Sequence, residues 1–402
     1  MLLNGRRVLL GVTGGIAAYK SAELCRRLMD VGADVQAVLT ASAGRFVTPL
    51  TFQALTGNEA PVQLFDTDRE SRISHVELAR NADVIVVAPA TANFVAKMAH
   101  GLADDLLSTL LLAARCPVVV APAMNTAMWE HPATRENLAT LAGWPRHRVV
   151  QPDAGELACG EVGAGRMPDP PALIEEIRAA LTPQSLAGRS LLVTAGPTRE
   201  AVDAVRFLTN RSTGRMGFAV ARAARARGAQ VTMVHGPVEL EAPTGVDLIA
   251  VQTAAQMAEA VFRQADAADA VIKVAAVADA RPAAPSDGKL RKSELGHGLA
   301  LERTTDILRA LVERRTGARP LLVGFAAEAS DLDEVGPAKL ADKGCDLLVA
   351  NRIDGSDAGF ATDTNRAVIF DRTGGRQDVA LTTKDALADR LCERVAALLD
   401  DT

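Results

Sequence analysis

The sequence predicts two doubly wound, parallel-sheet α/β domains in tandem, and three observations carry the prediction. Short apolar runs alternate with helical stretches, the pattern of strands buried on both faces between layers of helices. The alternation pauses at Thr182-Pro183-Gln184-Ser185-Leu186-Ala187-Gly188-Arg189 and then restarts from a new strand. At 402 residues the chain also exceeds what one core ordinarily serves, so two domains of roughly 150–200 residues are expected. The divisions are a first domain over 1–182, a linker over 183–189 and a second domain over 190–402.

The elements follow in order. Arg7–Val12 reads as the first strand, a glycine turn follows, and a helix runs from about Ile16 to Asp30. Ala33–Leu39, Asp83–Ala88 and Pro117–Ala121 are further strands, Val149–Gln151 is a short last one, and Ala172–Leu181 is a closing helix. In the second half Ser190–Thr194 is a strand, and Gly214–Arg227 is a helix stopped by Gly228. Val231–Val234, Asp269–Val277, Leu321–Phe325 and Asp346–Ala350 are later strands. Ala367–Phe370 and Gln377–Ala380, separated by Thr373-Gly374-Gly375, read as a hairpin, and Lys384–Leu399 as a terminal amphipathic helix. No short-period repeat is visible.

Composition narrows the function classes. The chain is 48% hydrophobic and 23% charged, which is globular rather than disordered. A net charge of −5 without a block of Lys or Arg argues against nucleic acid and anionic membranes as partners. No apolar run approaches the ~20 residues of a membrane span, and Met1-Leu2-Leu3-Asn4 leads straight into a strand with no room for a signal peptide. Cys25, Cys116, Cys159, Cys345 and Cys392 are odd in number and show no CxxC spacing. That usage fits a cytoplasmic location with neither a disulfide framework nor a zinc site.

In the first domain the informative stretches follow strands, where open α/β sheets bind ligands. Gly11-Val12-Thr13-Gly14-Gly15-Ile16 is a strand-to-helix turn that exposes backbone N–H groups, suited to phosphate or simply a tight turn. Its spacing is not GxGxxG, and the second strand ends in Leu39-Thr40-Ala41-Ser42 without the acid that holds a dinucleotide ribose. Both features oppose a NAD-dependent oxidoreductase and favour a mononucleotide. Pro89-Ala90-Thr91-Ala92-Asn93-Phe94 places small polar groups after another strand, and Lys97, Gly101, Asp104 and Asp105 continue into a loop or a plain helix surface. His75 stands at the start of a helix, as a proton carrier or as a surface cap. Pro122-Ala123-Met124-Asn125-Thr126-Ala127-Met128-Trp129 surrounds one amide with apolar side chains, a pocket wall or core packing. Gly155-Glu156-Leu157-Ala158-Cys159-Gly160-Glu161-Val162-Gly163-Ala164-Gly165-Arg166-Met167 holds one cysteine among four glycines, the composition of a mobile lid or of a flexible loop.

The second domain has its own set. Thr194–Glu200 and Arg206–Gly217 lie between its first strand and first helix, with Arg206, Arg211, Ser212 and Thr213 as phosphate donors and Gly214-Arg215-Met216-Gly217 opening the helix. Asp279 ends a strand stretch, where a carboxylate can accept from the amino group of a base. Lys289-Leu290-Arg291-Lys292 is a basic loop segment, Phe325 an aromatic near a strand end, and Asn351 ends the next strand. Lys339 and Lys343 are four apart on one helix face, suited to a triphosphate.

His75, the PATANF and PAMNTAMW stretches and the ACGEVGAGRM stretch occur in that order. Together they resemble the flavin-dependent phosphopantothenoylcysteine decarboxylases, a homo-oligomeric, flavodoxin-like cysteine-decarboxylase family. Over residues 5–399 the chain is similar to the bacterial bifunctional family that joins this decarboxylase to a CTP-dependent, Rossmann-like phosphopantothenate–cysteine ligase. The resemblance implies that FMN oxidises the substrate thiol to a thioaldehyde, that CO₂ loss gives an enethiolate, and that the reduced flavin returns the hydride. It makes His75 the acid–base residue, Asn125 the grip on the leaving carboxylate and Cys159 the proton donor, with Gly14, Gly15, Ser42, Thr91, Asn93 and Asp105 near FMN.

For the ligase it implies an acyl-cytidylate of 4′-phosphopantothenate attacked by the amine of cysteine. Asn210 would orient the substrate and Lys289 would cover the reacting carboxylate. Asp279, Lys289, Phe325, Lys339 and Lys343 would hold CTP, and Mg²⁺ (or Mn²⁺) would sit on the phosphates, its protein ligands unknown. Trimers of the flavin half and dimers of the ligase half imply a dodecamer. Two departures stand out: Thr91 where serine is commoner, which keeps the hydroxyl, and Arg291 in the third position of a Lys-x-Lys-Lys segment, which keeps charge but not lysine geometry. Some relatives of the first half are flavin-binding regulators of a protein partner, and the nucleotide motifs of the second half oppose that alternative.

Overall fold

The computed structural model describes residues 3–64, 75–158, 160–291, 298–328, 332–352, 359 and 362–401, with backbone only at 333 and 334. The chain forms two compact units, Met1–Pro183 and Gln184–Thr402.

In the first unit β1 (Arg7–Val12), β2 (Asp34–Leu39), β3 (Val84–Ala90), β4 (Val118–Pro122) and β5 (His147–Val149) form a parallel sheet in the order β2-β1-β3-β4-β5. The strands are apolar throughout because both faces are covered. Val8, Leu10 and Val12 pack with Leu24 and Leu28 of the helix Ala18–Asp30 and with Ile177 of the helix Pro170–Leu181. Leu9, facing the other way, packs with Phe94, Leu107 and Leu110. The order reverses direction between β1 and β3, so a crevice opens beyond their carboxyl ends. β5 lies two residues earlier than the expected Val149–Gln151.

The glycine-rich stretch, expected to be a mobile lid or a flexible loop, contains an antiparallel hairpin, β6 (Asp153–Glu156) with β7 (Val162–Arg166). Gly163 and Gly165 serve close approach to the Met124–Thr126 segment. Met124 N–H donates to the Gly165 carbonyl at 3.0 Å, and a Cβ on Gly165 would come within 2.2 Å of the Met124 carbonyl oxygen.

The second unit is built on β8 (Ser190–Ala195), β11 (Gln230–His235), β12 (Asp247–Ala250), β13 (Ala270–Lys273), β16 (Leu321–Glu328), β17 (Leu347–Arg352), β18 (Thr364–Asp371) and β19 (Arg376–Thr383), with small hairpins β9 (Arg199–Ala201)–β10 (Phe207–Thr209) and β14 (Ala280–Pro282)–β15 (Leu301–Arg303). The large sheet runs β12-β11-β8-β13-β16-β17-β18-β19. It is parallel up to β17, and β18 and β19 add the expected antiparallel hairpin. Its switch point lies between β8 and β13. Leu191 and Val193 face Phe218 and Leu391, whereas Leu192 faces Met257 and Ile307.

Two expectations need correction. The strand predicted over Asp269–Val277 ends at Lys273, because the next backbone donors turn toward β8: Ala275 N–H donates to Thr194 Oγ1 (3.0 Å) and Ala276 N–H to the Gly196 carbonyl (2.9 Å). The expected linker is only partly one. Leu186 is fully buried in the core of the second unit, and its N–H donates to the Arg227 carbonyl at 2.9 Å.

Candidate active sites

The crevice of the first unit is lined by turns at the ends of β1, β2 and β3. Gly14 packs so closely on Ser42 that a Cβ there would come within 2.3 Å of the Ser42 Cβ, and Gly15 faces Thr91. Thr13 ties the turns together: Thr91 N–H donates to its Oγ1 (3.0 Å) and its own hydroxyl donates to the Pro89 carbonyl (2.7 Å). Thr91 caps the helix Ala92–His100, accepting from Phe94 N–H. Gly14, Gly15, Ser42 and Thr91 are thus brought together, with Asn93 two residues further on. Ser42 and Asn93 are exposed and make no side-chain hydrogen bond to described residues, so their polar groups stand available to a ligand. Asp105 has other partners. It closes a capping box at the helix Leu106–Ala113 with Ser108 and pairs with Lys97 at 3.0 Å, as Asp104 does at 2.6 Å. The Asp104 hydrogen bond holds Lys97 above the usual lysine range, against burial.

Asn125 follows β4 and caps the short helix Thr126–Glu130, its Oδ1 accepting from Ala127 N–H at 2.8 Å. Its Nδ2 donates to the Glu161 carboxylate at 2.6 Å. Glu161 sits beside the turn of the β6–β7 hairpin, so a carboxylate from that hairpin already occupies an amide expected to grip a carboxylate. Cys159, at the same turn in sequence, lies outside the described residues. His75 is half-buried at the start of the helix His75–Asn81, as expected. In the sequence, Glu161 carries only a weak local signal, an acid two residues from the cysteine.

In the second unit a cleft opens at the switch point, lined by Gly196, Ser212, Thr213, Gly214, Arg215, Met216, Gly217, Val274, Ala275, Ala276, Phe325, Ala327, Asn351, Gly359, Asn365 and Lys384. The helix Arg215–Ala226 starts here from Gly214, whose φ of +80° is the left-handed conformation that glycine adopts without strain. Backbone N–H groups and the helix dipole make this end an anion site. Asn210 stands at the rim, its Nδ2 donating to the Ala276 carbonyl at 3.0 Å. Phe325 and Asn351 line the cleft from β16 and β17. Lys384, Asn365 and Ala327 were not singled out in the sequence. Lys384 is buried and donates to the carbonyls of Gly359 (2.9 Å) and Thr362. Burial, helped by nearby Arg215 and opposed by Asp363, pushes its pKa below the usual lysine range. Its only sequence signal was a cation at the start of a helix that follows a strand.

Other expected donors have partners of their own. Arg206 is not a free phosphate donor: its guanidinium is held by Asp203 and donates to the Leu290 carbonyl at 2.9 Å. Lys339 pairs with Glu328, and Lys343 with Asp306 at 2.5 Å. Asp279 and Lys289 are exposed, and Lys292 lies outside the described residues.

The flavoprotein family model matches residues 2–182, and the model of the DNA/pantothenate metabolism flavoprotein C-terminal domain matches 186–399. The coenzyme A biosynthesis bifunctional protein CoaBC of Bacillus subtilis is 46% identical over 405 residues, covering 100% of this chain and 99% of that one. The chain belongs to this family of bifunctional coenzyme A biosynthesis proteins. The Escherichia coli (strain K12) member is 41% identical over 406 residues, again covering 100% of this chain and 99% of that one. Among solved structures, the C-terminal domain of a CoaBC protein is similar at 37% identity and a TM-score of 0.47, covering 55% of this chain and 100% of that one. As a member of the family, the chain is an enzyme of coenzyme A biosynthesis whose first half has the flavoprotein signature. No helix among the described residues is long and apolar enough to cross a membrane.

Proposed function

We propose that the second unit joins 4′-phosphopantothenate to cysteine at the expense of CTP, and that the first unit decarboxylates the phosphopantothenoylcysteine so formed to 4′-phosphopantetheine. The observation that carries this reading is the identity of 46% along the whole chain to the bifunctional relative.

In the ligase step the substrate carboxylate attacks the α-phosphorus of CTP, releasing pyrophosphate and forming an acyl-cytidylate. The amine of cysteine then attacks the acyl carbon and CMP leaves. Activation is needed because a free carboxylate is a poor electrophile. Asn210 at the cleft rim orients the acyl group, Lys289 covers the reacting carboxylate, and the helix end at Gly214 takes a phosphoryl group. Asp279, Phe325, Lys339 and Lys343 hold the nucleotide, the two lysines by exchanging Glu328 and Asp306 for phosphate. Among the described residues no group of three or more His, Cys, Asp and Glu gathers for a metal ion. Mg²⁺ (or Mn²⁺) would sit on the nucleotide phosphates.

For the decarboxylase, the glycine turn and the available polar groups of Ser42 and Asn93 fit FMN. When bound, FMN supplies the reversible oxidation of the substrate thiol that allows CO₂ to leave. Gly14, Gly15, Ser42, Thr91 and Asn93 hold it, with Asp105 keeping the adjoining helix in place. His75 moves the thiol proton, Asn125 holds the substrate carboxylate in exchange for Glu161, and Cys159 returns a proton to the product carbon. Exposed Ile16, Tyr19, Phe46 and Leu50 support self-association of this unit into a homo-oligomer.

Mass spectrometry of the full chain with 4′-phosphopantothenate, cysteine, CTP and Mg²⁺ tests the reading. The expected products are CMP and 4′-phosphopantetheine, with no amide from Lys289→Gln and a stall after CO₂ loss in Cys159→Ser. Folded, flavin-loaded protein that yields neither CMP nor amide would overturn the ligase half.

A further inference from the structure

The segment carrying Lys289 is held by a clasp on the β9–β10 hairpin. The side chain of Asp203, at the turn of that hairpin, is fully buried. Its carboxylate accepts from the N–H groups of Val205 (2.8 Å) and Arg206 (2.7 Å), from Arg206 Nε (2.9 Å) and from Leu290 N–H (3.2 Å). Arg206 in turn donates to the Leu290 carbonyl at 2.9 Å. Both backbone polar groups of Leu290, the residue after Lys289, therefore end on one half-buried ion pair more than 80 residues away in sequence. Ser286 N–H adds a second tie, donating to the Val202 carbonyl at 3.1 Å. At the other end of the same hairpin, Asn210 follows β10 and reaches Ala276 at the cleft rim. One hairpin thus holds the Lys289 segment at its turn and Asn210 at its foot.

We propose that the Asp203–Arg206 pair is a positioning device for the ligase reaction: it fixes the backbone of Leu290 so that Lys289 is presented in register with Asn210. This rests on the ligase role given to Lys289 above. The chemistry suits the task. Asp203 is an acceptor for several donors at once, and the Arg206 guanidinium holds its carboxyl well below the usual carboxylate range, so it stays charged at every working pH. A carboxylate and a guanidinium fork fix direction as well as distance, which an apolar contact under a glycine- and proline-containing loop would not. A displacement of about 1 Å at a reacting group costs on the order of 100-fold in rate, so a tether of this stiffness has a catalytic consequence through Lys289.

The test is a double-mutant cycle on the full chain, reading CMP release under saturating CTP, 4′-phosphopantothenate and cysteine. Asp203→Asn keeps the shape of the side chain and removes its charge. Alone it should lower kcat on the order of 10- to 100-fold while leaving KM for CTP near the wild-type value. Added to Lys289→Arg, which keeps a cation and so a measurable rate, it should cost far less than in the wild-type background, because its effect passes through the lysine amine. An equal loss in both backgrounds, or no loss in the wild-type background, overturns the proposal. If Asp203→Asn no longer binds CTP, Arg206→Gln enters the same cycle, since it removes the Leu290 carbonyl contact but leaves the backbone donors on Asp203. Wild-type turnover by Lys289→Gln alone would remove the ligase role of Lys289, and the positioning role with it. That outcome is read from the single variant, independently of the clasp.

Discussion

At the scale of single residues, the paired groups teach most about what binding must displace. Asn125 caps a helix with its carbonyl and meets Glu161 with its amide. Asp caps helices about as well as Asn. Asn125→Asp should therefore keep the helix start while setting two carboxylates against each other. The expected result is decarboxylation slowed on the order of 100-fold with ligation unchanged, and wild-type decarboxylation would remove the role given to the amide. Lys339 presents a second case. Its ion pair with Glu328 competes with any phosphate, and partly exposed pairs contribute about 0.2–1 kcal/mol. Glu328→Gln should lower KM for CTP roughly two- to fivefold at low salt, with the gain fading as salt rises. An unchanged KM would place Lys339 away from the nucleotide. His75, Asn125, Asn210 and Lys289 could all be picked from the sequence because the motifs around them are local. Glu161, Asp203 and Lys384 could not, because each matters through partners far along the chain.

At the scale of elements, long buried strands were legible because both sheet faces demand apolar residues, so runs such as Val84–Ala90 and Val118–Pro122 stand out from the helices between them. Three-residue strands such as β9, β10, β14 and β15 have no period to read. The glycine-rich stretch after β5 was harder to read for a different reason. Glycine density signals either freedom or close contact, and only the partner surface tells which. Here the surface is the Met124–Asn125 backbone. At Gly165 the φ of +142° and the nearby Met124 carbonyl both exclude a Cβ. Gly165→Ala should lift the β6–β7 hairpin from Asn125 and abolish decarboxylation while the ligase half runs at its wild-type rate. The paired assays on one sample decide it, since retained decarboxylation would mean that hairpin docking is dispensable.

At the scale of the whole molecule, one buried titratable group in each unit leads us to expect that the two units respond to acid in different windows. Burial holds His147 below its ordinary value of 6.5, and its Nδ1 is buried without a hydrogen-bond partner among the described residues. A depressed pKa means that the unfolded chain takes up the proton first, so this contribution to stability is present above pH 6.5 and is lost as pH falls below it. In the second unit, Asp371 is buried; desolvation alone would raise its pKa, but hydrogen bonds from Thr373, Arg394 and Gly375 bring it down to about 2 from an ordinary 3.8. Its contribution is intact above pH 3.8 and is lost only toward pH 2. Both tryptophans, Trp129 and Trp144, belong to the first unit, and Trp144 meets His147 edge to face at 4.8 Å between ring centroids. Denaturation followed by tryptophan fluorescence should therefore weaken between pH 7 and 5, while the part of the far-ultraviolet circular dichroism signal that fluorescence does not follow persists to about pH 4. Coincident transitions at every pH would refute separate responses.

The sequence by itself determined two tandem doubly wound sheets, and it supplied the strand ends and most of the residues proposed for ligand binding and chemistry. These follow from periodicity and from motifs a few residues long, which are properties of neighbours along the chain. Only the tertiary structure decided that the glycine-rich stretch contains a docked hairpin, that Arg206 is paired with Asp203, and that Lys339 and Lys343 begin with carboxylate partners. The Asp203–Arg206 pair itself is local, but its tie to Leu290 spans 87 residues, and the other contacts join segments 11 to 37 residues apart. Their energies are set by distance and burial, and no local pattern of residue types encodes either.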